Sequence, residues 1–181
     1  AFVSDYARLK IIYDHGGVYF DTDVEVLKPI DDLLEHNCFI GTEKPGTIAT
    51  GLGFGAVKGH WAIKAMLNEY ENEEFIKNGI EDLTPCPVRN TRPFLALGFK
   101  AEDRVETIND CTIYSVEYFC PKDYVTRRLK VTHNNYTIHH FDGSWLSMWD
   151  RIKIHLKQII GPDWAELLLK KKHEFSKEKN R

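Results

Sequence analysis

One segment constrains this chain more than any other. A helix-compatible opening stops at Gly16-Gly17, and the β-prone run Val18-Tyr19-Phe20 then delivers two carboxylates, Asp21 and Asp23, with one residue between them. Ser4 is a good helix N-cap, Asp5 suits the first turn, and Ala7, Leu9, Ile11 and Ile12 keep the segment apolar. A glycine pair ends such a helix because the residue past its end favours left-handed backbone, which strains glycine least. The strand resumes as Val24-Glu25-Val26-Leu27 until Lys28-Pro29 breaks it. A carboxylate carried into a core without a partner is costly, so either something binds these two or the strand bends there. A divalent cation answers that need, since hard oxygen ligands suit magnesium or manganese shared with substrate phosphates.

Downstream, helical and β-prone runs alternate. Residues 30–34 read as a short helix or turn and 38–41 as a strand. Residues 47–57, with Gly51, Gly53 and Gly55, read as a strand hugging other backbone or a loop near a ligand. That G-x-G-x-G spacing is not a dinucleotide or P-loop pattern and earns no phosphate role by itself. A helix is expected over 61–78, and Pro85, Pro87 and Pro93 punctuate a loop before a second helix around 94–99. Residues 112–116 and 137–140 are β-prone. Ile152, Leu156, Ile159 and Ile160 recur at helical spacing, and Gly161-Pro162-Asp163 separates two C-terminal helices. Alternation over 181 residues, with no repeat and no low-complexity linker, predicts one α/β or α+β domain.

Charge and cysteine usage exclude several classes. The net charge is −3, but residues 170–181 hold six Lys/Arg against Glu174 and Glu178, leaving 18 basic and 25 acidic residues elsewhere. An acidic body offers no broad face to nucleic acid. The basic tail reads first as a solvated terminal helix and second as a peripheral contact with an anionic membrane. No run approaches the ~20 apolar residues of a membrane span, and the opening lacks a signal-peptide pattern. Without an initiator Met, the chain is expected to be processed or cut from something longer. Cys38, Cys86, Cys111 and Cys120 include no C-x-x-C pair, so they read as reduced, mostly buried thiols of a cytosolic protein.

A second constellation is Ile138-His139-His140-Phe141-Asp142-Gly143-Ser144-Trp145. Imidazole can join carboxylates on manganese, and a Ser hydroxyl and a Trp N–H suit phosphate oxygens. The plainer reading is paired histidines at a strand end beside a core Trp. Two other site types fail on the D-x-D segment. A calcium loop would need Gly at Val26 and Glu at Asp32, and an aspartyl-phosphate phosphatase normally has a small hydroxyl or Val where Glu25 stands.

Taken in order, Ser4-Asp5-Tyr6-Ala7-Arg8-Leu9 and Gly16-Gly17-Val18-Tyr19-Phe20-Asp21-Thr22-Asp23, with His140, Ser144 and Trp145 later, resemble a family over roughly residues 1–145. It is glycosyltransferase family 32, the DXD-containing sugar transferases related to the large clostridial glucosylating toxins and the yeast mannosyltransferases. The resemblance implies a GT-A, Rossmann-like α/β fold, here lacking its N-terminal strand–helix unit and ending in C-terminal helices over 146–181. It further implies a retaining hexosyltransferase that uses Mn2+ or Mg2+ and a nucleotide-diphosphate sugar, with UDP as the expected nucleotide. A saccharide or lipid-linked acceptor in bacterial capsular or other surface polysaccharide synthesis would follow. So would a cytoplasmic place, peripheral to the inner membrane surface. Asp5, Arg8, Asp21 and Asp23 take the catalytic positions, and Asp5, Arg8, Tyr19, Asp21, Ser144 and Trp145 the nucleotide-sugar contacts. Asp21, Asp23 and His140, chosen over His139, take the metal. Tyr19 shares Asp21's strand face. The runner-up reading is a fragment or inactive module that binds nucleotide-sugar and metal, and an aspartate-dependent phosphatase stands further off.

Overall fold

The computed structural model describes residues 2–71, 73, 76–77, 79–82, 84–123 and 128–142. Contacts divide the chain into two units, Ala1–Lys122 with Leu129–His140, and Asp123–Arg128 with Phe141–Arg181. Every element below belongs to the first. Ser144, Trp145 and the helices expected over 146–181 lie outside the described residues.

Helix α1 spans Phe2–His15, so it is already under way before Ser4, with Asp5 in its first turn. Gly16 ends it at φ 73°, its N–H donating to the Ile12 carbonyl at 2.8 Å. A Cβ there would meet the Lys58 amide nitrogen at 2.9 Å, so both conformation and space require glycine. Strand β1 (Gly17–Tyr19) follows at once, and then the chain turns, the Val24 N–H donating to the Asp21 carbonyl at 3.1 Å. The continuous strand expected through the D-x-D segment is thus two strands with a bend between them. β2 (Val24–Val26) leaves the main sheet altogether.

After a 3₁₀ turn over Asp31–Glu35, the chain forms β3 (Cys38–Lys44), β4 (Thr47–Ile48) and β5 (Phe54–Ala56). Helix α2 (Trp61–Glu71) follows, then a small hairpin of β6 (Ile76–Lys77) and β7 (Ile80–Glu81), and helix α3 (Cys86–Ala96). β8 (Glu106–Ile108), β9 (Cys111–Tyr114), the single-turn α4 (Val116–Phe119) and β10 (Thr137–His139) complete the unit. The main sheet runs β1-β5-β3-β9-β8, with β4 beside β3. β3 and β9 are parallel and the other pairings antiparallel. This is a mixed α/β fold, consistent with the Rossmann-like arrangement expected of the resemblance.

Two elements differ from expectation for physical reasons. α2 stops at Glu71, short of residue 78. α3 begins eight residues earlier than expected, because Pro85 is its N-cap residue and Pro87 sits in its first turn, where a missing N–H costs nothing. Those prolines start a helix; they do not fill a loop.

The core lies between the sheet and the first three helices. Leu9 and Ile12 of α1, Ile63, Met66 and Leu67 of α2, and Phe94 of α3 pack on Ile40, Phe54 and Ile113 of the sheet. Each large apolar side chain buried this way contributes about 1.5–3 kcal/mol. On the other side of β3, the Phe39 and Phe119 rings stack at 6.1 Å, and a Cβ on Gly41 would meet Phe119 at 2.8 Å. Asp110, at the β8–β9 turn, ties that end of the sheet to the start of α2. It accepts from Trp61 Nε1 (2.6 Å) and Asn37 Nδ2 (3.2 Å), and His60 Nε2 lies at 3.1 Å.

Candidate active site

The ends of α1 and β1 build the first half of the site. Asp5 and Arg8 are three apart on α1 and therefore on one helical face, where they form an ion pair. Arg8 is only 6% exposed, and its Nη1 reaches Asp21 Oδ1 at 3.0 Å. Tyr19, the last residue of β1 and two before Asp21, donates its hydroxyl to the same oxygen at 2.8 Å. Its ring also lies 5.6 Å from the Arg8 guanidinium carbon, within cation–π range. The four residues assigned to sugar binding in this stretch are therefore joined in one network, with Asp5 linked to the others through Arg8. Burial pushes the Asp5 carboxyl up, against the opposing pull of Arg8, and burial followed by the Asp21 hydrogen bond raises the Tyr19 hydroxyl. Burial works against the Arg8 charge too, but Cys86, Asp5, Asp21 and Tyr19 outweigh it and the guanidinium stays protonated.

The glycine-rich segment supports this half from beneath. The Asp21 N–H donates to the Gly51 carbonyl at 3.1 Å, and a Cβ on Gly51 would stand 2.4 Å from Asp21 Oδ2. A Cβ on Gly53 would stand 2.6 Å from the Phe20 ring. The glycines are spaced two apart because successive side chains of the carboxylate strand rest on them. Gly51 and Gly53 lie in the turn between β4 and β5, so for them the loop reading describes the backbone, while Gly55 sits within β5, where a Cβ would stand 3.1 Å from the Gly17 carbonyl oxygen.

The second half arrives from far along the chain. β2 pairs antiparallel with β10 in a two-stranded ribbon, with His139 opposite Val24. The His140 N–H donates to the Asp23 carbonyl at 2.9 Å. His139 Nε2 then lies 3.1 Å from Asp23 Oδ1 and 4.0 Å from Asp21 Oδ2. Asp21, Asp23 and His139 each offer one ligand atom, all within 4.8 Å of one another. Burial holds the His139 imidazole below its usual pKa despite both carboxylates, which leaves the neutral form that can act as a ligand. Two carboxylates and one imidazole form a donor set that suits manganese or magnesium, so the residues present fit a divalent cation.

The structure brings His139, and not His140, to the carboxylates. His139 is the last residue of β10, and His140, just past it, turns the other way toward Glu25, the cross-strand partner of Ile138. Its Nε2 is 2.9 Å from Glu25 Oε2, and Lys122 Nζ donates to its carbonyl at 3.1 Å. Only the pairing register separates the two candidates, and the register is invisible in a His-His dipeptide.

Residues 1–40 match the family model described as the glycosyltransferase sugar-binding region containing the DXD motif. The match spans Asp5, Arg8, Tyr19, Asp21 and Asp23, and supports a glycosyltransferase. No curated protein and no solved structure matches the chain. The DXD sugar-binding region therefore coincides with the half-site built by α1 and β1, while His139 is added from outside it.

Sequence reasoning missed one participant. Cys86, read as an ordinary buried thiol, is half-buried at the first residue of α3, and Arg8 Nη2 donates to its sulfur at 3.2 Å. Thr50 and Asn90 lie beside it, Asn90 Nδ2 donating to Thr50 Oγ1 at 3.1 Å. The Pro-Cys-Pro run at a helix start was the available signal.

Proposed function

We propose that this protein is a metal-dependent, retaining glycosyltransferase that moves a hexose from a nucleotide-diphosphate sugar to a saccharide or lipid-linked acceptor. The observation that carries this is Asp21, which touches the sugar-binding pair through one oxygen and faces the Asp23–His139 group with the other. A sugar held against Asp5 and Arg8 would stand beside a cation held by Asp21, Asp23 and His139. Bound there, Mn2+ or Mg2+ would supply positive charge against the diphosphate leaving group. Arg8 is clamped between two carboxylates, so its N–H groups are fixed in place before substrate arrives. Tyr19 buttresses Asp21 and limits its rotation. Ser144 and Trp145 would complete the clamp on the diphosphate, a role proposed from sequence. UDP is the expected nucleotide, with surface polysaccharide synthesis at the membrane face as the expected setting.

The test is calorimetry and turnover with MnCl2 and a panel of UDP-glucose, UDP-galactose, UDP-N-acetylglucosamine and GDP-mannose. Metal-dependent binding of one donor, lost in Asp23→Ala, is expected, together with slow donor hydrolysis or transfer. Binding without turnover would favour the non-catalytic binding module. Turnover fully retained by Asp23→Ala would remove that residue from the metal site.

A further inference from the structure

We infer that Cys86 is a positioning residue of the donor-sugar pocket: its half-buried sulfur, at the first residue of α3, holds the Arg8 guanidinium between Asp5 and Asp21. This rests on the donor reading above and adds to it a third element of the pocket.

Arg8 has two terminal nitrogens and three partners. Nη1 is taken by Asp21, and Nη2 by Asp5 together with Cys86. The Arg8 Nε is buried with no hydrogen-bond partner among the described residues, so the terminal contacts set the plane of the fork. The sulfur is in turn fixed from behind. Asn90 Nδ2 lies 3.6 Å from it and Thr50 Oγ1 3.9 Å. Asn90 is fully buried, and its Oδ1 has no partner among the described residues. A polar chain thus runs from Asp21 through Arg8 and Cys86 to Asn90 and Thr50, joining three segments distant in sequence.

The chemistry fits orientation and not nucleophilic attack. Burial pushes the Cys86 thiol up to about 11, outweighing the opposing pull of Arg8. A neutral sulfur accepts from Arg8 and Asn90, whereas a thiolate would compete with Asp5 and Asp21 for the guanidinium. Pro87 removes one first-turn amide from α3, so the helix start is a poor anion cradle, and the residue there meets an already charged neighbour. Cys38, Cys111 and Cys120 are buried, and Cys86 alone of the four is partly open.

That difference in exposure supplies the experiment. Native protein is treated with N-ethylmaleimide, whose double bond is added across by Sγ while the thiol proton ends on the neighbouring carbon. The labelled peptide is then mapped by mass. Cys86 is expected to react first. MnCl2 with the donor that calorimetry selects, at ten times its dissociation constant, should slow labelling about tenfold, and UDP with MnCl2 should protect less. In parallel, Cys86→Ala should raise the donor KM about tenfold with a smaller change in kcat, and Cys86→Ser should restore it to within about threefold. A donor that binds with Mn2+ but leaves labelling unchanged, or protection by UDP equal to that by UDP-sugar, overturns the inference and spares the transferase reading. Wild-type kinetics in Cys86→Ala overturn the positioning role. Absence of binding by every donor in the panel overturns both readings. If Cys86→Ala fails to fold, the labelling arm on the wild-type protein still decides.

Discussion

Asp21 divides its two oxygens between two tasks, and this division predicts how its neighbours respond to substitution. Oδ1 accepts from Arg8 and Tyr19, while Oδ2 faces His139. His139→Ala should weaken Mn2+ binding at least about tenfold, because it removes one of three converging ligand atoms. His140→Ala, which loses only the Glu25 contact, should leave Mn2+ affinity within about threefold of wild type. Titration calorimetry with MnCl2 distinguishes the two, and the reverse ranking would refute the register argument. Gly51→Ala should be as damaging as a direct ligand change. Its new Cβ at 2.4 Å from Oδ2 must displace the carboxylate, and a displacement near 1 Å is expected to lower donor turnover about a hundredfold. Far-UV circular dichroism should remain native, since Gly51 sits at the edge of the site and outside the central strands.

At the scale of elements, Asp110 is the joint between the β8–β9 turn and the start of α2. Its hydrogen bond from Trp61 is the largest cause holding the carboxyl below its ordinary range; burial opposes it, and His60 and Asn37 add smaller lowering effects. Because the folded value is depressed, the joint stabilises fully above about pH 4, the ordinary carboxylate range, and fades as pH falls through the folded value. Asp110→Asn should cost about 1 kcal/mol at pH 7, at the low end because the side chain is half exposed and screened. The gap in melting temperature between wild type and variant should close below pH 4. A gap that widened in acid would contradict the assignment. Elements were legible from sequence where one cue acted alone. Gly16-Gly17 ended α1, and β3 was readable from an unbroken apolar run. They were illegible where a cue had two meanings. Pro85 and Pro87 can break a segment or open a helix, and only the packing of Phe94 into the core decides for the helix. The D-x-D segment looked like one strand because its flanks are both β-prone, and its bend follows from pairing with β10, some 110 residues later. The same long-range pairing hid His139, while Asp5, Arg8, Tyr19, Asp21 and Asp23 were readable because local spacing fixes them.

For the molecule as a whole, the body's stability and the site's integrity separate cleanly. Phe54 is fully buried at the crossing of β5 with the helices, and Phe54→Ala should cost about 3–5 kcal/mol, a large part of the 5–15 kcal/mol typical of a domain. Ile40→Val, one methylene in the same layer, should cost about 1 kcal/mol. Urea midpoints at constant slope measure both, and Ile40→Val should leave donor binding untouched because no part of Ile40 reaches the site. A saturating donor with Mn2+, at a hundred times its dissociation constant, should raise the unfolding free energy by about 2.7 kcal/mol. That gain should vanish in Asp23→Ala.

The ribbon of β2 and β10 has a consequence for timing. Two strands alone are marginal, and β2 is largely exposed, tied to the body through β10, whose Thr137 donates to the Phe119 and Leu52 carbonyls and whose preceding Tyr136 N–H donates to the Tyr118 carbonyl. His139 rides on the ribbon, whereas Arg8 and Asp21 are held by α1 and the main sheet. The site's two halves therefore keep different clocks. Hydrogen exchange should find the ribbon amides opening well below the global unfolding energy while those of β3 and β9 wait for complete unfolding. Closure of the ribbon would then set when the binding centre is whole, and a tether that shortened its opening would slow ligand exchange without adding a single contact to the ligand.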